Sequence, residues 1–482
     1  MSTKNKTLLL KVISGFLLLV ILIANIKRAM NGELFTYDYG IYQQGVFELA
    51  SGTLNPFMSV RDIKLWNDHF MPILFLAVPW VWLWGFSTVA MIAFEWLWFA
   101  IAALVTFSLV RNKKIEVQVI SLIFLLFAKG ILSGLHFAIH PGVWSAPVWI
   151  LLCYNLAKER WKSVLLYSFC LIFFRESFTF GIITLTTMMA ILDKERKRSL
   201  ALLLFCLAYA LFVFVLRKHV LGPVEDFGGK FVSNLLSRPF GTFVDAIKVF
   251  EWKIFLKIYY PYFIPIPMAL LFLWRQGTKG RQILLLFVAL IGPHYFLHFL
   301  ANKFHYQYGV AAVCPLLGLL YGTDYFERIR SNKKLFYFIL ILPILSGMGF
   351  HTKFMKLIFK KYPNGSRVFS EIYEEKDKMR DILQSLPKDK KIIGPSRATA
   401  TLYQPGMTNL YTVESFLKRD KVYDYLFYWK GQGYAHNGVT VEKKKIMDQF
   451  CGESISKVIY ESDVFYLAEG VFDQDCYEYN YP

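Results

Sequence analysis

FMPILFLAVPWVWLWGF, residues 70–86, is the run whose reading decides the fold. It is apolar enough to pass for a membrane span. Counted as one, it would reverse the alternation of everything after it. The basic cluster Arg111/Lys113/Lys114 would then lie on the outer side. Lys and Arg concentrate in short cytoplasmic loops, so that outcome is disfavoured. Pro72 and Pro79, with Trp80, Trp82 and Trp84, suit a helix lying along the outer interface, where Trp is enriched. The run is read as a juxtamembrane element of a first outer loop, residues 27–86.

Working outward, eleven apolar runs are expected to span: 8–26, 87–110, 115–134, 142–157, 163–175, 177–192, 199–216, 254–274, 282–300, 306–326 and 335–351. A span needs about 20 residues. The runs 142–157, 163–175 and 177–192 are shorter and are expected as broken or tilted helices buried among the others. Basic clusters punctuate the series at Lys4/Lys6/Lys11, Arg111/Lys113/Lys114, Lys158/Arg160/Lys162, Lys194/Arg196/Lys197/Arg198, Arg275/Lys279/Arg281 and Arg328/Arg330/Lys333/Lys334, all on one side. The opposite loop 135–141 has no Lys or Arg, and 301–306 has only Lys303. The N-terminus is therefore expected inside and residues 352–482 outside. Lys27 and Arg28 follow the first run without an Ala-x-Ala site, which reads as an uncleaved signal anchor.

Composition agrees. Charged residues are 18% of the 482, against about 25% in a soluble domain, and Phe alone numbers 45. Disordered, coiled-coil and disulfide-scaffold classes are excluded. The net charge of +19 divides unevenly, with 34 basic against 17 acidic residues in 1–351 and 20 against 18 in 352–482. Because the positive charge sits between apolar runs, orientation explains it better than nucleic acid, and no nucleic-acid partner is expected.

From 352 onward the texture is that of a small α/β domain. Val368, Ile372, Met379, Ile382, Leu383 and Leu386 mark a helix over 366–386, stopped by Pro387. Strands are expected at 391–394, 456–460 and 464–468. Cys153, Cys170, Cys206 and Cys314 lie in apolar runs as packing residues. Cys451 and Cys476, in the outer domain, are candidates for a disulfide.

No P-loop, His-Glu-x-x-His or Gly-x-Ser-x-Gly motif is present, and Gly431-Gln432-Gly433 lacks the third glycine of a dinucleotide fingerprint. What remains is a set of polar residues at the outer ends of apolar runs, where ionisable groups are costly and tend to be functional. Asp38, between Tyr37 and Tyr39, is either a turn or cap aspartate or a base for an acceptor hydroxyl. Asp68-His69 either caps the following helix or meets a metal or phosphate. His136 and His140 stand four apart, as metal ligands can on a helix, but Pro141 argues against continuous helix there. Arg175-Glu176 is either a neutralising ion pair or a phosphate contact with an acid–base partner. Lys303, His305 and Tyr306 could hold a lipid-linked phosphate or stack on a sugar, or be ordinary interface residues. Gly318 and Gly322 would let two helices approach closely. Arg217, Lys218, Arg238 and Lys248 form a basic patch in the loop 217–253.

Taken together these residues resemble a family. A cytoplasmic N-terminus, an outer loop opening with Asp, and an interfacial helix ending in an aromatic–Gly pair are similar to the GT-C glycosyltransferases, which include protein O-mannosyltransferases and lipid A aminoarabinose transferases. Where those commonly carry Lys-Pro-Pro-Leu, this chain has His69-Phe70-Met71-Pro72, and it ends the stretch at Gly85-Phe86. The chain also resembles an uncharacterised bacterial membrane-protein family, a domain of unknown function, through Tyr37–Gly40, His69–Pro72, His140–Pro141, Arg175–Glu176, and His305–Tyr306 with Pro315. The acidic pair common in GT-C members is missing, since Tyr39 follows Asp38.

The resemblance implies an α-helical polytopic membrane protein of about eleven spans over residues 1–351, with an extracytoplasmic α/β domain over 352–482, in a bacterial cytoplasmic membrane. It implies transfer of a sugar from a polyprenyl-phosphate donor to an envelope acceptor at the outer face. Asp38 would serve as base, and Arg175 with Lys303 or His305 would hold the departing phosphate. Tyr37, Tyr39, Asp68, His69, His136, His140, Glu176 and Tyr306 would line the substrate site. A divalent metal is a candidate cofactor, and membrane lipids are expected partners. The rival readings are a non-catalytic envelope assembly factor and a transporter or flippase.

Overall fold

The computed structural model describes residues 3–30, 37–59, 63–137, 139–222, 239–250, 252–300, 309–359, 369–394, 402–407, 409–412, 422–429, 434–436, 439–441, 455–462 and 465–472. They fall into two compact units. One comprises residues 1–24, 66–73 and 93–358, and the other 25–65, 74–92 and 359–482. The expected boundary at 351/352 lies inside the helix Lys333–Phe359, and the units part after Ile358.

The first unit is helical. Among the described residues of the whole chain, five helices are long and apolar enough to cross a membrane: Asn5–Ala29, Thr88–Val110, Arg196–Leu221, Thr278–Leu297 and Lys333–Phe359. The number is up to seven if each of two bent pairs is one span. Of the eleven expected runs, 115–134 is the bent pair Ile115–Leu126 and Lys129–Phe137, and 254–274 is Phe255–Tyr262 and Pro265–Arg275. The first bend, 42°, has a side-chain cause: His351 donates from Nε2 to the Leu126 carbonyl at 2.8 Å, drawing it out of its ladder. The second, 47°, falls where Pro265 and Pro267 remove backbone donors. Trp161–Ile172, Phe178–Ile191 and Gly309–Gly322 are shorter apolar helices, and 142–157 is split into Pro141–Trp144 and Ala146–Ala157.

Glycine sets the closest packing. A Cβ at Gly318 would lie 2.5 Å from the Ile150 carbonyl oxygen, and one at Gly322 would lie 2.6 Å from the Ala157 Cβ. Gly309–Gly322 and Ala146–Ala157 therefore touch backbone to backbone, as small-residue spacing allows. At one end of this unit three basic loops meet. Asp324 takes Lys113 at 3.2 Å and Lys158 at 2.6 Å, and Glu327 takes Lys113 at 2.5 Å. Lys194 lies 5.3 Å above the Trp161 ring, bringing in a fourth.

The second unit is built on a five-stranded sheet, in the order Leu410–Thr412, Ile392–Gly394, Tyr423–Trp429, Phe465–Phe472 and Ile455–Glu461. The first three strands run parallel, and the last two form an antiparallel hairpin onto them. Helix Phe369–Ser385 and the strands expected near 391, 456 and 464 are present within a few residues of their expected bounds. Cys451 and Cys476 lie outside the described residues.

Residues 25–65 also belong to this unit. Phe57 packs against the sheet core of Ile393, Tyr423, Leu426 and Phe472, and the Ser59 hydroxyl donates to the Leu410 carbonyl at 2.5 Å. The helix Tyr37–Ala50 is held by Glu48. Its Oε1 accepts from the Tyr403 hydroxyl at 2.5 Å and from the Gly406 N–H at 2.8 Å. Gly406 occupies the third position of a Gln404–Met407 turn, closed by Met407 N–H to the Gln404 carbonyl at 3.1 Å. Its φ of 84° is the left-handed value that a type II turn after Pro405 requires. Glu48 and Tyr403 are 5% and 1% exposed, so the removal of either leaves the other's polar group in a dry environment. Glu48→Ala is expected to cost about 1.5–3 kcal/mol, the range for a hydrogen bond to a charged group. Thermal unfolding with limited proteolysis of residues 359–482 reads this out; an unchanged midpoint would remove Glu48 as the tie.

Residues 70–86 form a 3-10 turn, Pro72–Leu76, running into the helix Ala77–Trp84, which ends at Gly85 with φ 84°. Ala77, Val78 and Val81 are buried, while Trp82, Leu83 and Trp84 are 63, 79 and 65% exposed. Its length places it among the short apolar helices rather than the candidate spans.

Candidate functional site

The helical unit brings four of the expected residues together. Asp68 closes the short helix Leu65–Asp68, and the chain then runs extended through His69. Three bonds fix this segment. Asn67 Nδ2 donates to the Leu221 carbonyl at 3.2 Å, the Tyr209 hydroxyl to the Phe70 carbonyl at 3.3 Å, and the Ile73 N–H to the Phe173 carbonyl at 3.1 Å. It is thereby tied to the ends of two helices, Trp161–Ile172 and Arg196–Leu221. The turn following the first, residues 173–177, carries Arg175 and Glu176.

His69 Nδ1 lies 2.6 Å from Glu176 Oε1, and its Nε2 lies 3.9 Å from Asp68 Oδ1. Burial opposes charge on both partners, but mutual attraction prevails. Asp68 and Glu176 hold the imidazole above its ordinary range, and His69 with Arg175 holds the Glu176 carboxyl below its own. Both directions favour the ionic form of the pair. Glu176 Oε2 has no hydrogen-bond partner among the described residues and stays open as an acceptor.

Two further cations belong here. Arg175 is 7% exposed and within electrostatic reach of His69, Glu176 and His294. Arg217, read from sequence as part of a basic patch in the loop 217–253, is also 7% exposed. A π-turn at Phe212–Leu216 precedes it. The wider turn takes up an extra residue and rotates the following face by about 100°, the angle per residue of a helix. Tyr209 lies within electrostatic reach of both Glu176 and Arg217. The cluster thus gathers Arg175 and His69 around Asp68 and Glu176, with Arg217 linked to it through Tyr209, at the end of apolar helices.

The other expected residues are placed differently. His136 packs edge-on against Phe350 and Phe354, with ring centroids 6.0 and 5.7 Å away. Helix Lys129–Phe137 ends after it, and His140 instead caps Pro141–Trp144, its Nδ1 accepting from the Gly142 N–H at 3.1 Å. The two histidines do not share one helix. The His140 backbone N–H donates to Glu95 at 2.6 Å. Glu95, 3% exposed inside Thr88–Val110, was missed by the sequence reading, although a lone carboxylate in an apolar run is itself a signal. It steadies a strained site, since Ile139 is β-branched with φ of 32°.

Tyr37, Asp38 and Tyr39 form the first turn of the helix Tyr37–Ala50 in the other unit, and their side chains lie outside the described residues. Lys303, His305 and Tyr306 also lie outside them. Among the described residues no three His, Cys, Asp or Glu side chains converge as metal ligands, and His69 is already committed to Glu176. The described donor set does not fit a resident metal.

Residues 33–264 match a family model whose description is "Predicted membrane protein (DUF2079)". No curated protein sequence matches the chain. Among solved structures, ArnT from Cupriavidus metallidurans bound to undecaprenyl phosphate is similar at a TM-score of 0.50 and 12% identity, over 99% of this chain and 100% of that one. The same enzyme in the apo state gives 0.47 and 12%, over 97% and 100%. At such identity the first likeness speaks to the fold alone, which is similar to that of ArnT.

Proposed function

We propose that this chain, a membrane protein with a DUF2079 match over residues 33–264 and an ArnT-like fold, transfers a sugar from a polyprenyl-phosphate donor to an envelope acceptor at the outer face of the bacterial cytoplasmic membrane. The observation that carries the reading is the likeness over the whole length of both chains to a structure bound to undecaprenyl phosphate. Buried Arg175 and Arg217 support it, because a departing lipid phosphate needs fixed positive charge.

The reaction is an inverting displacement. The acceptor hydroxyl oxygen attacks the anomeric carbon, the bond from that carbon to the phosphate oxygen breaks, and its electrons remain on the phosphate. Asp38 takes the hydroxyl proton. Arg175 stabilises the leaving phosphate, joined by Arg217 and by Lys303 or His305. His69, flanked by Asp68, holds Glu176, whose second oxygen accepts a hydrogen bond from a sugar or acceptor hydroxyl. Tyr37, Tyr39, His136, His140 and Tyr306 complete the substrate-facing set.

The proposed orientation is N-terminus in and residues 352–482 out. Its support is that the loops at Lys113, Lys158 and Asp324 meet at one end of the helical unit, as cytoplasmic loops of a single side would. Two measurements test the reading. Purified protein in proteoliposomes is expected to release free polyprenyl phosphate from a polyprenyl-phosphate sugar in the presence of envelope acceptor. Single cysteines in a chain stripped of its native ones are expected to label from outside at Lys390 and not at Lys114. Release absent with every donor sugar tried sinks the activity; the reverse labelling sinks the orientation.

A further inference from the structure

The helices Trp161–Ile172 and Arg196–Leu211 enter the helical unit side by side and leave a groove between them of about 440 Å3. Lys162 and Arg198, each near the start of its helix, line one end. Leu165, Phe169, Leu202 and Phe205 line the rest, seven residues deeper at the far end, or about 10 Å along a helix. Phe169 and Phe205 close that end with ring centroids 5.3 Å apart. Each is 40% exposed, and Leu166 beside them is 57% exposed.

The flanking residues argue that the cationic end is the one at the membrane–water boundary. Trp161, a residue favoured at that boundary, carries Lys194 above its ring, and the neighbouring Lys158 joins the Asp324 cluster of basic loops. The His69–Glu176 cluster is at the other ends of these helices, next to Phe173 and Leu221. The groove is thus a different place from the proposed transfer site.

A groove with two cations at the water boundary and aromatic and aliphatic walls below has the polarity of one kind of molecule. We propose that it binds a single anionic diacyl phospholipid, with the headgroup phosphate between Lys162 and Arg198 and an acyl chain along Leu165, Phe169, Leu202 and Phe205. Charge complementarity selects the occupant. A zwitterionic lipid brings its own cation against Lys162 and Arg198, and a free phosphate leaves the apolar walls uncovered. Basic pockets between spanning helices hold anionic headgroups by this same arrangement. One carboxylate competes: Glu195 Oε2 lies 2.6 Å from the Arg198 guanidinium and holds one of its nitrogens. Arg198 has further donors to offer, and among the described residues Lys162 has no ion pair.

The test uses the full chain in detergent, titrated with phosphatidylglycerol or with phosphatidylcholine of the same chains, and read by native mass spectrometry. Wild type is expected to retain phosphatidylglycerol preferentially. A cation near the surface contributes about fivefold to anionic-lipid binding, so Lys162→Gln/Arg198→Gln is expected to lower that preference by about 25-fold. Glu195→Gln, which frees Arg198, is expected to raise it. Ala201→Phe keeps both cations and fills the groove; it is expected to abolish retention, and it covers the case in which the double variant fails to fold. Equal retention of both lipids by wild type overturns the proposal, as does undiminished preference in Ala201→Phe. Displacement of the lipid by glycerol phosphate alone would make the groove a phosphate site and would overturn it too. None of these outcomes depends on sugar transfer.

Discussion

Asp38→Asn is expected to give a folded, membrane-inserted protein whose sugar transfer falls by about 10²–10⁴-fold, the usual worth of a general base. The carboxylate is the group that can take a hydroxyl proton near neutral pH, and the amide keeps its shape without that basicity. Asp38 sits in the first turn of Tyr37–Ala50, where the helix dipole also favours a negative side chain. That second role is worth only about 0.3–1 kcal/mol, and Asn serves nearly as well as a cap. The two roles therefore separate by magnitude. A stability loss within that range together with abolished transfer assigns the base. Transfer at the wild-type rate in a well-expressed Asp38→Asn protein would move the proton to another group and favour a non-catalytic envelope role.

Arg175→Ala is expected to be next in size, with transfer lower by about 10²–10³-fold, as for removal of one fixed donor from a developing anion. The lost step is departure of the lipid phosphate, so donor binding is expected to weaken as well. The rival explanation is structural, since stripping one member of a buried ion pair costs about 3–5 kcal/mol. The geometry bears on this, because Glu176 already has His69 at 2.6 Å. Glu176 is therefore not stranded when Arg175 is removed. Thermal stability and donor titration of Arg175→Ala and of Arg175→Ala/Glu176→Ala decide. If the double change restores both stability and donor binding, the arginine is a packing partner rather than a phosphate ligand.

Sequence exposed whatever has a local period. The basic clusters, the apolar runs, the helix near 369 and the hairpin through Glu461 repeat every few residues and were legible. The bends were not. Lys129 and Gly130 mark the place near Phe127 only weakly, and the His351 contact to the Leu126 carbonyl comes from more than two hundred residues away. The burial of Arg217 was not legible, because the π-turn that precedes it leaves no mark in composition. The adjacency of His69 and Glu176 joins residues 107 apart, and each was flagged only singly, by polarity at an apolar edge. The break between the two histidines was legible: Pro141, which argued against continuous helix, starts a new helix that His140 caps.

Glu48 and Tyr403 stand 355 positions apart. At about 5–20 residues per second of synthesis, the helix that carries Asp38 emerges roughly 20–70 s before the tyrosine that anchors it. Over that interval a carboxylate destined for a dry interior remains hydrated, and Phe57 has no sheet to rest on. The sheet unit thus matures last even though its first residues are made almost first. Premature termination anywhere before residue 403 would do more than remove a peripheral domain. It would strand the helix Tyr37–Ala50 on a nascent protein with no anchor to fold against, and quality-control proteases would meet it there.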